Sequence, residues 1–261
     1  GRSGRLYARL AQRRQARREG VDIPLVVSVD EQRLRDLVFA LASVVQVQPV
    51  DARIVITDGD EVIIEPSSEG RRLNVDELIS RLRSTTLERG AREIDIPVET
   101  APPAVVTSEL ESRGIARLLG EYTTKFKASN VKRSENIRLG AAMIDGTIVA
   151  PGDVFSFNEV VGPRTPERGF LEADIILNAE LVPGIGGGIC QVSTTLYNAA
   201  LLSDLEIMSR INHSLPISYV PLGRDATVSY GAIDLKIRNN TGHHVLLKAR
   251  VDKDTITFKI Y

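Results

Sequence analysis

Few residues in this chain could do covalent chemistry. There is one cysteine, Cys190, and there are three histidines, His213, His243 and His244. Cys190 follows directly on Gly184-Ile185-Gly186-Gly187-Gly188-Ile189 and opens an apolar pattern, Val192, Leu196, Ala199 and Ala200, at helical spacing. A thiol at a helix N-terminus meets the macrodipole and free N–H groups, which favour thiolate over thiol. Glycines let a substrate carbonyl approach the backbone closely, so the N–H groups of Gly187 and Gly188 are candidates for an oxyanion hole. The plainer alternative is a core thiol at a tight turn, the commoner fate of a single cysteine. A phosphate cradle is a third use of such a loop. It is set aside because no Gly-Lys-Ser/Thr follows and the glycine spacing does not fit a dinucleotide fingerprint.

A thiol nucleophile needs a base, and the base needs an orienting group. His213 lies 23 residues after Cys190, in Arg210-Ile211-Asn212-His213-Ser214. It is expected on a strand that runs back beside the start of the cysteine helix, or else is a packed or surface histidine. His243 and His244 are adjacent, so on a strand they would point to opposite faces and could not act together. Asp225 and Asp234 are the nearest acids downstream of His213. Asp225 is preferred as the orienting group, with Tyr219, Tyr230 and the Asn212 amide as further candidates. Arg164, Arg168 and Arg224 have the fork geometry to grip a substrate carboxylate, or are solvated surface arginines. Cys190 and His213 would supply two metal ligands and no spacing supplies the rest, so no metal and no cofactor is expected. One cysteine excludes an intramolecular disulfide, and a sensor thiol would have no second cysteine in the chain to resolve it.

The elements that must position these residues follow from patterning. The chain has 261 residues, 33 Lys+Arg against 34 Asp+Glu, and 43% hydrophobic residues, which suggests about two globular domains. A net charge of −1 argues against a nucleic-acid binder, and no apolar run approaches the ~18–20 residues of a membrane span. Residues 1–20 form a basic helical segment, with seven arginines and one acid by residue 19. It reads as a solvated helix or as a segment beside anionic lipid, where each basic residue adds about 1 kcal/mol. Residues 21–103 read as a small α/β unit without a nucleophile, a binding or spacer module. Strands are predicted at Pro24–Val29, at Arg53–Thr57 and Glu61–Glu65 around the turn Asp58-Gly59-Asp60, and at Glu93–Val98. Helices are predicted over Glu31–Val45 and after a cap at Asn74. Ala101-Pro102-Pro103-Ala104 marks the boundary, and Ser108 with Glu111 fits a capping box opening a helix to about Leu119. Residues 104–261 read as a mixed, β-rich domain with a Cys-bearing helix N-terminus. Its strands are predicted near Glu121–Lys127, Thr147–Ala150, Asp153–Phe157, Glu206–Ile211, Thr227–Tyr230, Asp234–Arg238, Val245–Val251 and Thr255–Tyr261, with a helix at Arg133–Ile144. The fold class is α+β.

The run Gly186-Gly187-Gly188-Ile189-Cys190-Gln191-Val192-Ser193-Thr194-Thr195-Leu196-Tyr197-Asn198 resembles the core motif of VanW-domain proteins. So do Thr124-Lys125-Phe126, Asn136-Ile137, Asn212-His213-Ser214, the segment Tyr219–Val228, Asp234-Leu235, Pro151–Asn158 and Val161-Gly162-Pro163-Arg164. The resemblance covers about 120–261, and residues 24–105 look, less sharply, like the peptidoglycan-binding module that often precedes such domains. It implies a bacterial envelope protein, named from glycopeptide-resistance clusters, and in some members an L,D-transpeptidase that makes 3→3 peptidoglycan cross-links. Carried over by position, Cys190 would be the nucleophile and His213 its partner. Peptidoglycan stem peptides would be the substrate, with membrane proximity through an N-terminal anchor outside this chain. The implied location is extracytoplasmic, membrane-anchored or wall-associated. Two other classes share the site: a cysteine amidase or peptidase using water as acceptor, and a non-catalytic wall-binding protein in which Cys190 is core.

Overall fold

The structure is a computed structural model that describes residues 6–20, 28–86, 93–177 and 180–261. The chain is α+β. It opens with α1 (Leu6–Glu19), whose Arg9, Arg13, Arg14, Arg17 and Arg18 are all exposed. Helix α2 (Glu31–Val45) begins at Asp30, whose carboxylate accepts from the N–H groups of Gln32 and Arg33. A hairpin of β1 (Arg53–Ile56) and β2 (Val62–Glu65) follows, then β3 (Gly70–Leu73), α3 (Val75–Thr86) and β4 (Val98–Ala101). The Glu77 N–H donates to Asn74 Oδ1 at 3.0 Å, so Asn74 caps α3. Of the strand predicted at Pro24–Val29, Pro24–Val27 lie outside the described residues. The strand predicted at Glu93–Val98 begins only at Val98: β3 fixes the register from Leu73↔Val98 to Gly70↔Ala101, and Pro97 has no N–H to extend a ladder.

Two compact units share the chain. One comprises residues 1–49 and 69–102, the other 50–68 and 103–261. In the first unit α2 and α3 bury Val38, Leu78 and Ile79 with Leu73 of β3. In the second, the β1–β2 hairpin lays Ile54, Ile56 and Val62 against Ile115, Leu246 and Tyr261.

The second unit continues through α4 (Thr107–Ser112), β5 (Gly120–Lys125), α5 (Val131–Ile144), β6 (Thr147–Val149), β7 (Val154–Ser156) and α6 (Phe157–Val161). Helix α4 stops well short of Leu119. Its N-cap is Val106, without a side-chain bond, because Thr107 pairs with Ser67, and Gly114 at φ +70° turns the chain away. Next come a hairpin of β8 (Glu172–Leu177) and β9 (Glu180–Ile185), then α7 (Ile189–Leu202), β10 (Glu206–Ser209), β11 (Lys236–Arg238), β12 (Val245–Val251) and β13 (Thr255–Ile260). The main sheet is antiparallel in the order β5-β13-β12-β6, and a smaller one runs β10-β11-β7. The strand predicted at Thr227–Tyr230 reduces to one bridge, Ser229↔Ile233, because a tight turn with Gly231 at φ +76° closes it on itself.

Helix α7 is the centre of this unit. Val192, Leu196, Ala199 and Ala200 are fully buried against the sheet, as the helical spacing requires. Its Ser193, Thr194, Thr195 and Asn198 are buried too. A buried hydroxyl or amide must be hydrogen-bonded or it costs about 1–3 kcal/mol. These side chains satisfy that demand and determine what lies beside the helix. No helix among the described residues is long and apolar enough to cross a membrane.

Candidate active site

The β8–β9 hairpin delivers the chain into Gly186-Gly187-Gly188, and α7 starts one residue before the thiol. Gly186 and Gly188 adopt φ of +83° and +109°, a region L side chains rarely enter. Gly187 is required for space: a Cβ there would lie 2.6 Å from the carbonyl oxygens of Ala173 and Asp174. Asn136 of α5, fully buried, fixes the turn. Its Nδ2 donates to Gly187 O and Leu171 O, both at 2.9 Å, and its Oδ1 accepts from Leu171 N–H at 2.8 Å. Cys190 is half-buried, and its Sγ lies 3.6 Å from Val228 O.

His213 sits in irregular chain beyond the end of β10, not on a strand. The polar face of α7 holds the neighbouring segment. Ser193 Oγ donates to Ala226 O at 2.7 Å, Ala226 N–H donates to Thr194 Oγ1 at 3.0 Å, and Asn198 Nδ2 donates to Arg224 O at 2.7 Å. Asp225 is thereby pinned between two residues tied to the cysteine helix. Its Oδ2 lies 2.6 Å from both the His213 N–H and His213 Nδ1. Arg210 donates from Nη2 to Asp225 Oδ1 at 3.1 Å and from Nε to Asp225 O at 2.6 Å.

A carboxylate at Nδ1 requires the proton on that nitrogen, so Nε2 is the atom left to meet the thiol. Burial would push the His213 pKa down, but the influence of Cys190 and of the hydrogen-bonded Asp225 outweighs that and raises it. Burial works against the Asp225 charge, yet the His213 backbone N–H and ring hold its carboxyl below the usual range. The Tyr219 phenol pKa is pushed up by burial first and then by Cys190.

Other candidates fall in different places. Arg164 reaches the thiol's surroundings and interacts electrostatically with Cys190, as does Arg133 of α5, which the sequence did not single out. Arg224 is engaged elsewhere, donating from Nε to Asn198 Oδ1 at 2.6 Å and lying 5.5 Å from the Tyr122 ring. Arg168 donates to Val161 O and Pro163 O. Asp234 accepts from Ser156 Oγ at 2.6 Å and from the Asn158 N–H at 2.9 Å, so it serves the start of α6. Tyr230 lies over Arg164, and the Asn212 amide donates to His213 O at 2.9 Å. His243 and His244 precede β12 in a turn, where His243 lies against Gly114 and the His244 N–H donates to Arg113 O at 3.0 Å. Among the described residues no group of three or more His, Cys, Asp or Glu side chains is placed to share a metal ion.

Comparison with known proteins assigns the chain to a family. Residues 132–261 match the family model described as VanW like protein, and residues 1–95 match that described as "Putative peptidoglycan binding domain". Protein YoaR of Bacillus subtilis (strain 168) is 37% identical over 235 residues, covering 89% of this chain and 76% of the relative. The vancomycin B-type resistance protein VanW of Enterococcus faecalis (strain ATCC 700802 / V583) is 31% identical over 131 residues, 48% of each chain. No solved structure matches. The segment matched to the family model contains the thiol, the imidazole and the acid brought together above, and the chain belongs to the VanW-like family.

Proposed function

We propose that this chain acts on bacterial peptidoglycan as a cysteine-dependent L,D-transpeptidase. The observation that carries the reading is the Cys190–His213–Asp225 arrangement, with the Asp225 carboxylate 2.6 Å from His213 Nδ1 and the other ring nitrogen left for the thiol. A nucleophile, a base and an orienting acid in that order are the parts acyl transfer needs. The match of residues 1–95 to a peptidoglycan-binding model supports the wall as partner and location.

In this mechanism Cys190 Sγ attacks the carbonyl of the diamino residue of a donor tetrapeptide stem. The C–N bond to the terminal D-Ala breaks, and His213 hands its proton to the leaving amine. The amine of a second stem then attacks the thioester while His213 takes its proton, and the thiol is regenerated. Ile189 N–H and Gln191 N–H are engaged inside the turn, by Gly186 O and Gly188 O. The N–H groups of Gly187, Gly188 and Cys190 have no acceptor among the described residues and are free to hold the oxyanion. One such donor is typically worth roughly 10²–10³ in rate. Arg164 and Tyr219 border the thiol and would meet the substrate.

The test is intact mass after mixing with purified tetrapeptide stems. Wild-type protein should gain the donor mass less D-Ala, and Cys190→Ala should gain nothing. Joined stems among the products identify a transpeptidase, and hydrolysed stems identify a hydrolase with water as acceptor. No adduct and no D-Ala release, with a thiol that resists alkylation, would overturn the enzymatic reading in favour of a wall-binding protein.

A further inference from the structure

Two arginine stems lie against the glycine turn. A Cβ at Gly186 would lie 3.0 Å from Arg164 Cβ and 3.1 Å from its Cγ, and one at Gly188 would lie 3.0 Å from Arg133 Cγ. The absent side chains therefore make room for both arginines immediately before the thiol. Arg164 runs 5.4 Å from the Phe157 ring and 6.0 Å from that of Tyr230. Its Nη1 donates to Gly162 O at 2.9 Å, while its Nη2 is buried with no hydrogen-bond partner. Arg133 lies 6.0 Å from the Tyr219 ring, and its guanidinium makes no hydrogen bond or ion pair among the described residues. The acids that act on them electrostatically, Asp174 on Arg133 and Asp234 on Arg164, stand beyond ion-pair distance, and Asp234 is engaged by Ser156 and Asn158. Burial pushes both guanidinium pKa values down.

The buried, unpaired Nη2 of Arg164 forfeits its hydration, and the partly buried Arg133 guanidinium beside it has no protein acceptor among the described residues. The matching ligand group is a carboxylate, which takes paired N–H donors. We propose that Arg133 and Arg164 form a carboxylate-binding pair, so that the thiol works only beside a free carboxylate on a residue flanking the scissile bond. This rests on the transpeptidase reading and narrows its donor to a stem with a free carboxylate beside the scissile bond. Two carboxylates of a stem have this chemistry: the terminal one on the leaving residue and the one on the side chain of the diamino residue.

The test is calorimetric titration of the Cys190→Ser protein with three ligands: a tetrapeptide stem with diaminopimelate, its C-terminal carboxamide, and the stem with lysine in place of diaminopimelate. One neutral replacement should weaken binding about tenfold or more, the loss expected for a charge-assisted contact, and so identify the carboxylate recognised. Arg164→Gln and Arg133→Gln should abolish that discrimination while binding the neutral ligand as the parent does, with folding checked by circular dichroism. Arg164→Lys, which keeps the charge and loses the fork, should fall between. Equal binding of all three ligands, binding of none, or arginine variants that weaken all three alike would overturn the pair. The two readings fail separately. A wild-type thioester formed equally from all three stems sinks the pair alone, whereas carboxylate-selective binding without any adduct sinks the transpeptidase alone.

Discussion

His213 is tied to Asp225 at two points, its backbone N–H and its Nδ1, and Asp225 is tied to Arg210 at two more. The imidazolium is thereby favoured, and the His213 pKa lies above its ordinary ~6.5. A group whose pKa rises on folding stabilises the fold fully below its unfolded value and ceases to do so as pH climbs through the folded one. Asp225, held low, contributes above its unfolded value of about 3.9 and loses that as pH falls through its folded value. The melting-temperature gap between wild type and His213→Gln should therefore be wide near pH 6 and shrink by pH 9; a gap that grows would reverse the sign argued here. Asp225→Asn should lower the His213 pKa, read by NMR titration of the ring, and cut thioester formation roughly 10²–10⁴-fold. Cys190 and His213 could be singled out in the sequence because it holds one cysteine and three histidines, and Asp225 because it is one of the two nearest acids downstream of His213. Arg133 and Arg210 were not singled out, and Asn136 entered only through the family resemblance, since an arginine or asparagine on a helix or loop carries no local mark of burial. Their roles come from contacts with residues distant in the chain, such as Asn136 with Gly187 and Arg210 with Asp225.

At the level of elements, the site is a junction between a hairpin, a glycine turn and a buried helix, and each has a local cause. The glycine run and the apolar spacing of α7 could be read directly, because the residues that define them are consecutive. What could not be read is why Ser193, Thr194 and Asn198 stand in a buried helix. They are polar at positions where local patterning expects none, and their partners Ala226 and Arg224 are 26 to 33 residues distant. The same cause misplaces the ends of α4 and β4, which are set by Ser67 and by β3. The turn gives a sharp test. Gly187→Ala would drive a Cβ to 2.6 Å from two backbone carbonyls, which cannot swing aside as a flexible side chain could. The start of α7 must shift, so the thioester rate should fall roughly 10²-fold or more even where the protein still folds, with a stability loss of about 1–3 kcal/mol. Gly152→Ala is the control. Its φ is +82° but nothing lies within 4 Å, so only backbone strain is incurred, and the thioester rate should stay near wild type.

Across the whole chain, the two units interleave: residues 50–68 pack with residues 103–261 although residues 69–102 intervene. Sequence reading places the division at Ala101–Ala104, where composition changes, and local composition has no way to express that an earlier hairpin crosses it. The hairpin has particular attachments. Ile54, Ile56 and Val62 cover Ile115, Leu246 and Tyr261, and Asp60, at φ +64°, accepts from Lys259 Nζ at 2.6 Å and from the Tyr261 hydroxyl. The strand edges are tied as well, by Ala52 N–H to Val105 O at 2.9 Å and by Asp51 Oδ1 to the Ala104 N–H. A protein of residues 104–261 alone would therefore uncover three large side chains and leave Lys259 without its Asp60 partner. At roughly 1.5–3 kcal/mol for each fully buried apolar side chain, partial exposure of three should cost on the order of 3 kcal/mol. For a domain of this size that is a fall of roughly 5–10 °C in Tm. Residues 50–261 with 69–102 replaced by a short Gly/Ser linker should keep the wild-type melting temperature of this unit, because Ser67 and Thr107 are already hydrogen-bonded at 2.9 Å and little chain is needed to join them. Differential scanning calorimetry of the two proteins checks this. Equal melting temperatures would mean that the hairpin is carried by the second unit without stabilising it.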